Sequence, residues 1–106
     1  MAAKLNQLDQ TIPWQKLATP IRATYDNDGE QGGRPNITVV VMLKIVMLQK
    51  WFSLSDEAME GMLLDRISFR RFVGLSMHDG TVDATTLVKF RNRLREHGLM
   101  RVLRSA

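Results

Sequence analysis

The fold of this chain is decided by the stretch "NITVVVMLKIVMLQKWF", residues 36–52. Its first half is rich in β-branched residues, and propensity alone would make Ile37–Val41 a strand. The apolar run nevertheless continues over residues 37–48 with only two polar interruptions, a length more typical of a helix. It is also too short, and too charged at Lys44, to span a bilayer. We therefore predict a buried central helix and an all-α fold of about five helices.

The region before this helix is expected to hold one helix and a flexible loop. The apolar residues of the first segment recur at helical spacing: Trp14, Leu17, Ile21 and Tyr25. Pro20 lies among them and predicts a break or a kink. The loop is "DNDGEQGGRP", residues 26–35, which is rich in glycine and acidic or amide residues. The chain is read as a single domain, 1–106, with three parts: 1–34, the central apolar helix 35–53, and a basic unit 54–106.

Three helices are predicted in the basic unit: Ser55–Asp65, Ser68–Val73 and Thr85–His97. Ser55 is the expected N-cap of the first, and Gly74 is expected to close the second. In that second helix, Arg70 and Arg71 are expected to face outward. Asp83 or Thr85 should cap the third, and Gly98 should end it. Four methionines of the central helix and the next one are expected to fill gaps in the core: Met42, Met47, Met59 and Met62.

The third helix, in "DATTLVKFRNRLREHGL" (residues 83–99), carries four basic side chains between Lys89 and Arg95. At 100° per residue, Leu87, Phe90 and Leu94 share one narrow arc. Lys89, Asn92, Arg93 and Glu96 fall on the opposite side, whereas Arg91 and Arg95 flank one edge. The helix is therefore amphipathic, with an exposed face that is mainly basic and amide.

Charge is unevenly distributed along the chain. Residues 1–65 carry a net charge of −2, and residues 66–106 carry +6, with nine Lys/Arg against three acids. Eight of those nine cations are arginine, which suits phosphate and guanine edges. The imbalance indicates a polyanionic partner for the C-terminal part. A plain solvated basic face is the alternative, and composition alone does not decide between the two.

A helix-turn-helix-like unit with its last helix in the DNA major groove fits this pattern. The expected base-facing strip is Lys89, Asn92, Arg93 and Glu96. The cations better suited to backbone phosphates are Arg70, Arg71, Arg91 and Arg95.

A catalytic or metal-binding site within this chain is not expected. His78, Asp79 and Asp83 lie in one turn, where cap and turn roles explain them better than a metal or acid–base site does. His97 suits a role at a helix C-terminus. The chain has no cysteine, and its N-terminus lacks the apolar core of a signal peptide. A cytoplasmic protein without a cofactor, bound to no membrane, is the expectation.

The order of the segments resembles the N-terminal domain of bacterial insertion-sequence transposases, specifically the insertion-sequence five family with its InsH N-terminal type of domain. The resemblance rests on "LSDEAMEG" (residues 54–61), "DRISFRRFVGL" (65–75), Asp83 with Thr86, Phe90-Arg91, and the closing Gly98-Leu99. It runs from about Leu8 to Leu103.

The resemblance implies a domain that recognises and pairs element ends during DNA transposition, a form of DNA recombination. Its expected partners are double-stranded DNA with terminal inverted repeats, and a second copy or an intact transposase. In the family, an aspartate–aspartate–glutamate catalytic domain follows and uses a divalent metal such as Mg²⁺. This sequence stops at "MRVLRSA", so no catalytic residue is carried over and the chain alone is not expected to be an enzyme.

Three interpretations stay open. The chain is a truncated or split transposase piece that binds DNA, or a domesticated regulator that competes with intact transposase for element ends. The third is a helical module that docks on a protein partner through an apolar patch supplied by its methionine-rich helices.

Overall fold

The computed structural model describes residues 2–27, 38–76 and 80–104. Within these ranges the chain forms seven α-helices and no strand, which confirms the predicted all-α class. The helices are α1 (Ala2–Thr11), α2 (Trp14–Asn27), α3 (Val39–Trp51), α4 (Asp56–Asp65), α5 (Ile67–Val73), α6 (Ala84–Glu96) and α7 (Arg101–Arg104). Most of the predicted 26–35 loop lies outside the described residues, although its first two residues still belong to α2.

Helix α3 is the central element, as predicted from its apolar run. Eight of its thirteen residues are buried, so its β-branched side chains are accommodated by packing on all sides rather than by a sheet. Thr38 caps its start by accepting a hydrogen bond from the Val41 N–H at 3.3 Å. At its end, Ser53 adopts a left-handed conformation (φ 53°). The Ser53 and Leu54 N–H groups return to the carbonyls of Lys50 and Gln49, which is the pattern of a Schellman motif.

The N-terminal region differs from the prediction in two ways. Helix α1 was not expected, because few apolar residues mark it, yet its Leu5 is buried in the core. Helix α2 continues through Pro20, so the predicted break is wrong. Proline removes the donor for the carbonyl four residues earlier, on Lys16. Lys16 is exposed, so water can satisfy that carbonyl and the helix tolerates the loss.

Lys44 joins the N-terminal helices to the core. Its Nζ lies 2.5 Å from a carboxylate oxygen of Asp9 in α1 and donates to the Phe72 carbonyl of α5 at 3.3 Å. The same ammonium lies 5.5 Å from the ring centres of Trp14 and Phe72, which pack edge to face. Lys44 is therefore the point at which α1, α2, α3 and α5 meet.

Helices α4 and α6 lie antiparallel. Asp56, at the start of α4, contacts Arg91 in the middle of α6, and Glu60, one turn later, accepts a hydrogen bond from the Ala84 N–H at 2.8 Å. The contacts thus move toward the start of α6 as α4 proceeds. Ser55 caps α4 and Asp83 caps α6, as predicted, by accepting from the N–H groups three residues ahead.

Helix α5 is joined to α4 through Arg66 alone and ends at Gly74, which takes a left-handed conformation (φ 94°). Residues 74–83 then lead to α6. This connection is longer than the ~3–4-residue turn of a helix-turn-helix unit, so the helix-turn-helix-like arrangement stays a prediction.

One hydrophobic core receives side chains from all seven helices. Met42, Met47 and Met59 are fully or nearly fully buried in it, and Met62 packs against it. The predicted gap-filling role is therefore confirmed, and these methionines supply no exposed patch. Helix α7 adds Val102 and Leu103 and is tied to α3 by Lys50, whose Nζ donates to the Leu103 carbonyl at 2.8 Å. None of the described helices is both long and apolar enough to cross a bilayer.

Candidate nucleic-acid interface

Helix α6 presents its predicted apolar stripe to the core. Leu87, Phe90 and Leu94 are buried, which confirms the stripe. We define the α6 strip as the exposed side chains of the opposite face: Thr85, Lys89, Asn92, Arg95 and Glu96. Arg95 donates to the Asn92 side-chain carbonyl at 2.7 Å, so these two residues form a connected pair on the surface. The strip thus offers two cations, an amide and a hydroxyl beside one carboxylate.

Arg91 does not belong to this exposed surface. Its guanidinium forms a bidentate pair with Asp56, with N–O distances of 2.6 and 2.9 Å. It also donates to the side-chain carbonyl of Gln49 in α3 at 3.0 Å. The Gln49 amide in turn donates to Asp56 at 2.7 Å. The three side chains therefore close a hydrogen-bonded triangle that joins α3, α4 and α6.

The ion pair within this triangle shifts the pKa of both ionisable groups. The hydrogen bond from Arg91 holds the pKa of Asp56 below its usual value, although partial burial opposes this shift. The hydrogen bond to Asp56 raises the pKa of Arg91. The side chains of Arg91 and Asp56 are only 26% and 18% exposed. Both groups are therefore charged at neutral pH and occupied with each other.

Arg93 is engaged on the other side of α6. Its guanidinium lies 4.0 Å from the ring centre of Tyr25 in α2, a close cation–π contact. It also donates to the Thr24 hydroxyl at 3.4 Å. The predicted base-facing set is therefore divided: Lys89, Asn92 and Glu96 are exposed, whereas Arg93 is half-buried against α2.

The predicted outward orientation of Arg70 is wrong. Its side chain is buried, with a relative exposure of 9%. The guanidinium donates to the carbonyls of Leu63 and Ser76, at 3.2 and 2.5 Å, and approaches that of Gly80 at 3.5 Å. Five donors in a fixed fork allow one arginine to satisfy several backbone carbonyls, and these contacts hold the side chain inward. Arg71, its neighbour, is exposed as predicted.

The structure describes only part of the turn that holds the histidine and two aspartates considered above. His78 and Asp79 lie outside the described residues. Asp83 has the predicted capping role, since its carboxylate accepts from the Thr86 N–H at 2.8 Å. Among the described residues, no group of three or more His, Cys, Asp or Glu side chains could hold a metal ion.

A shallow groove of about 340 Å³ lies beside α6, between α3 and α7. Its floor is apolar, with Val46, Leu54, Met100 and Leu103. Its rim carries Gln49, Lys50, Arg91 and Arg104. Two side chains of the triangle, Gln49 and Arg91, therefore line the groove.

Sequence reasoning missed the partners of the α6 arginines. These partners are in other helices, 35 to 69 residues before the arginines that they contact, and no periodicity within α6 reveals them: Gln49, Asp56, Thr24 and Tyr25. One signal was available: Asp56 and Glu60 are spaced by one helical turn, so both face the same neighbour. Their joint position predicts an interhelical role as readily as a dipole effect.

Comparison with known families identifies the class of protein. Residues 2–93, from α1 into the third turn of α6, match the family described as Transposase domain (DUF772). The chain belongs to this family, which confirms its predicted relation to transposases. No solved structure matches the chain.

Proposed function

We propose that this protein is a DNA-binding domain of an aspartate–aspartate–glutamate transposase, and that it recognises the ends of an element through α6. The observation that carries the proposal is the α6 strip. It places Lys89, Asn92 and Arg95 on the exposed face of a capped helix of a transposase domain. An exposed helix with this chemistry fits the major groove, where amides read adenine and cations bind phosphates or guanine.

The roles within the strip follow from exposure. Lys89 and Arg95 are exposed cations at either side of Asn92 and are suited to backbone phosphates. Asn92 is the amide suited to a base edge. Arg71 is a further exposed cation on α5, whereas Arg70, Arg91 and Arg93 are engaged within the protein. We therefore narrow the direct contacts to Lys89, Asn92, Arg95 and Arg71.

The insertion-sequence five type with its InsH N-terminal domain is the finer part of the proposal. The residues that carry that resemblance have defined contacts here: Ser55 caps α4, Asp56 pairs with Arg91, Glu60 caps α6, and Gly98 closes it. Such a domain would act on terminal inverted repeats together with a second copy or an intact transposase. Strand cutting and Mg²⁺ belong, in this proposal, to the catalytic domain of such an enzyme and involve no residue described above.

The experiment is a salt titration of binding to two duplexes, one with the terminal repeat and one with its scrambled sequence. Wild-type protein should prefer the repeat and lose affinity steeply with salt. The variant K89A/R95A should weaken binding to both duplexes and lower the salt slope by about two, one for each phosphate contact. N92A should mainly reduce the preference for the repeat, by about 1–3 kcal/mol.

The matched control is K4A/K16A. It removes the same charge from exposed positions on α1 and α2, so it separates the effect of net charge from that of the α6 strip. Equal effects of the two double variants, or no binding by the wild type at low salt, would refute the proposal. The protein-docking interpretation cannot rest on Met42, Met47 and Met59, which are buried, and is left with the exposed side chains of Leu64 and Ile67.

A further inference from the structure

The triplet Arg91-Asn92-Arg93 sends its three side chains in three directions. Arg91 reaches α4 and α3, Arg93 reaches α2, and Asn92 between them is exposed. We propose that Arg91 and Arg93 are positioning residues that fix the rotation of α6 about its axis, so that Asn92 is the specificity-determining residue of the triplet. This inference rests on the proposed DNA binding and assigns different roles to residues that charge alone would treat alike.

The Arg91 side is fixed by geometry as well as by charge. Two parallel N–H···O contacts to Asp56, at 2.6 and 2.9 Å, define both the distance and the plane of the guanidinium. Gln49 bonds to both partners, at 3.0 Å from Arg91 and 2.7 Å from Asp56. A lysine would satisfy the charge but not this planar arrangement.

The Arg93 side supplies the opposing constraint. The guanidinium stacks over Tyr25 at 4.0 Å from the ring centre and reaches the Thr24 hydroxyl at 3.4 Å. Arg91 and Arg93 lie two residues apart, so they leave the helix on different sides. The Asp56 contact resists any rotation of α6 that would carry Arg91 away from α4. The Tyr25 contact resists any rotation that would carry Arg93 away from α2.

Small rotations matter at the distance of a base edge. Side-chain ends lie about 5–6 Å from a helix axis, so a roll of about 20° displaces them by about 2 Å. A bidentate amide–adenine contact is lost at that displacement, because hydrogen bonds weaken steeply outside about 2.7–3.2 Å. Contacts to phosphates tolerate it better, since a lysine or arginine side chain can readjust. Loss of either arginine contact should therefore reduce sequence preference more than general affinity.

The decisive variant removes the partner and leaves every cation in place. In D56A, Arg91 loses its carboxylate and is released toward solvent. If Arg91 were itself a DNA contact, D56A would leave binding unchanged or strengthen it on both duplexes. If Arg91 positions α6, D56A should lower the preference for the repeat by about five-fold or more, the lower end of what one base contact contributes. The salt slope should stay that of the wild type.

The matched control is E57A, which removes a neighbouring exposed carboxylate from the same first turn of α4. It should leave the preference unchanged. R91K gives a second test, because it keeps the charge and loses the bidentate plane. If Arg91 positions α6, the preference of R91K for the repeat should fall below that of the wild type. If Arg91 is a phosphate contact, R91K should behave like the wild type. K89Q, on the exposed strip, should instead weaken both duplexes alike and reduce the salt slope by about one.

The outcomes separate this inference from the proposed function. Wild-type preference with equal behaviour of D56A and E57A would overturn the positioning role and leave DNA recognition intact. Absence of wild-type binding would overturn both. Circular dichroism of each variant checks that the helices are formed, and R91K replaces D56A in the comparison if D56A does not fold.

Discussion

Arg91 and Asp56 form a bidentate ion pair that joins the middle of α6 to the first turn of α4. Asp56 is also one of the residues by which the chain resembles transposase N-terminal domains. The same is true of Glu60, which caps α6 from α4. These two residues of the predicted resemblance join α4 to α6, whereas the α6 strip lies on the exposed face of α6.

The first prediction concerns acid stability. Because the folded-state pKa of Asp56 is below its usual value, the unfolded chain binds the proton more readily as the pH falls. The stabilisation from the pair is therefore fully present above about pH 4, the pKa of an unfolded aspartate, and is lost as the pH drops through the folded-state value. D56N should be destabilised at pH 7, and the difference from the wild type should shrink toward pH 3. Urea unfolding at several pH values measures it.

The control for that experiment is E57Q, which alters an exposed carboxylate one residue away. Its unfolding free energy should track the wild type within about 0.5 kcal/mol across the whole pH range. A D56N deficit that is equally large at pH 3 and pH 7 would contradict the assigned ion pair.

The second prediction concerns Arg70. Its replacement by alanine leaves the carbonyls of Leu63 and Ser76 without their donor and opens space under the loop after α5. We expect a loss of about 2–3 kcal/mol in unfolding free energy, within the range for buried hydrogen-bonding groups left unpaired. R71A, the exposed neighbour, should change it by less than about 0.5 kcal/mol. Similar losses for the two variants in urea unfolding would argue against the buried role of Arg70.

The third prediction compares two helix ends of the same type. Ser53 and Gly98 both occupy the left-handed position of a Schellman motif, with φ 53° and 67°. An L-residue there is strained by about 1–2 kcal/mol, and this outweighs the entropic cost of glycine, about 0.5–1 kcal/mol. S53G should therefore stabilise the protein slightly, and G98A should destabilise it by about 1 kcal/mol.

Space does not limit G98A, because a Cβ at Gly98 would meet nothing within 4 Å. Any loss therefore reports the backbone conformation alone. In thermal unfolding, the melting temperature of S53G should lie above that of the wild type, and the melting temperature of G98A should lie below it. A shift of the same sign in both variants would mean that the two helix ends are not equivalent.

Patterns local to one helix predicted much of this fold. The length of the apolar run separated a helix from a strand at α3, and the serine and aspartate caps and the glycine at the end of α6 marked boundaries correctly. These signals depend on a few neighbouring residues. Helix α1 was not predicted because its packing depends on contacts with distant helices, chiefly through Leu5 and Asp9.

The candidate site was predicted less completely, for a related reason. The helical wheel correctly predicted the buried stripe of α6, but it placed Arg93 on the exposed face and Arg95 at an edge, whereas Arg93 is half-buried and Arg95 is exposed. It contains no information about what neighbouring helices place at the edges between them. Arg91 and Arg93 lie at those edges and meet Asp56 and Tyr25, which belong to other helices. Arg70 was misjudged because the carbonyls that it binds belong to Leu63 near the end of α4 and to Ser76 and Gly80 after α5, and no pattern within α5 reveals them.

The core extends beyond the segment that the family match covers. The match ends at Arg93, yet Leu94, Leu99, Val102 and Leu103 are all buried. A recombinant fragment cut at residue 93 would expose the groove side of α3 to water and should aggregate. A unit for grafting this domain onto another protein must therefore include residues 94–104.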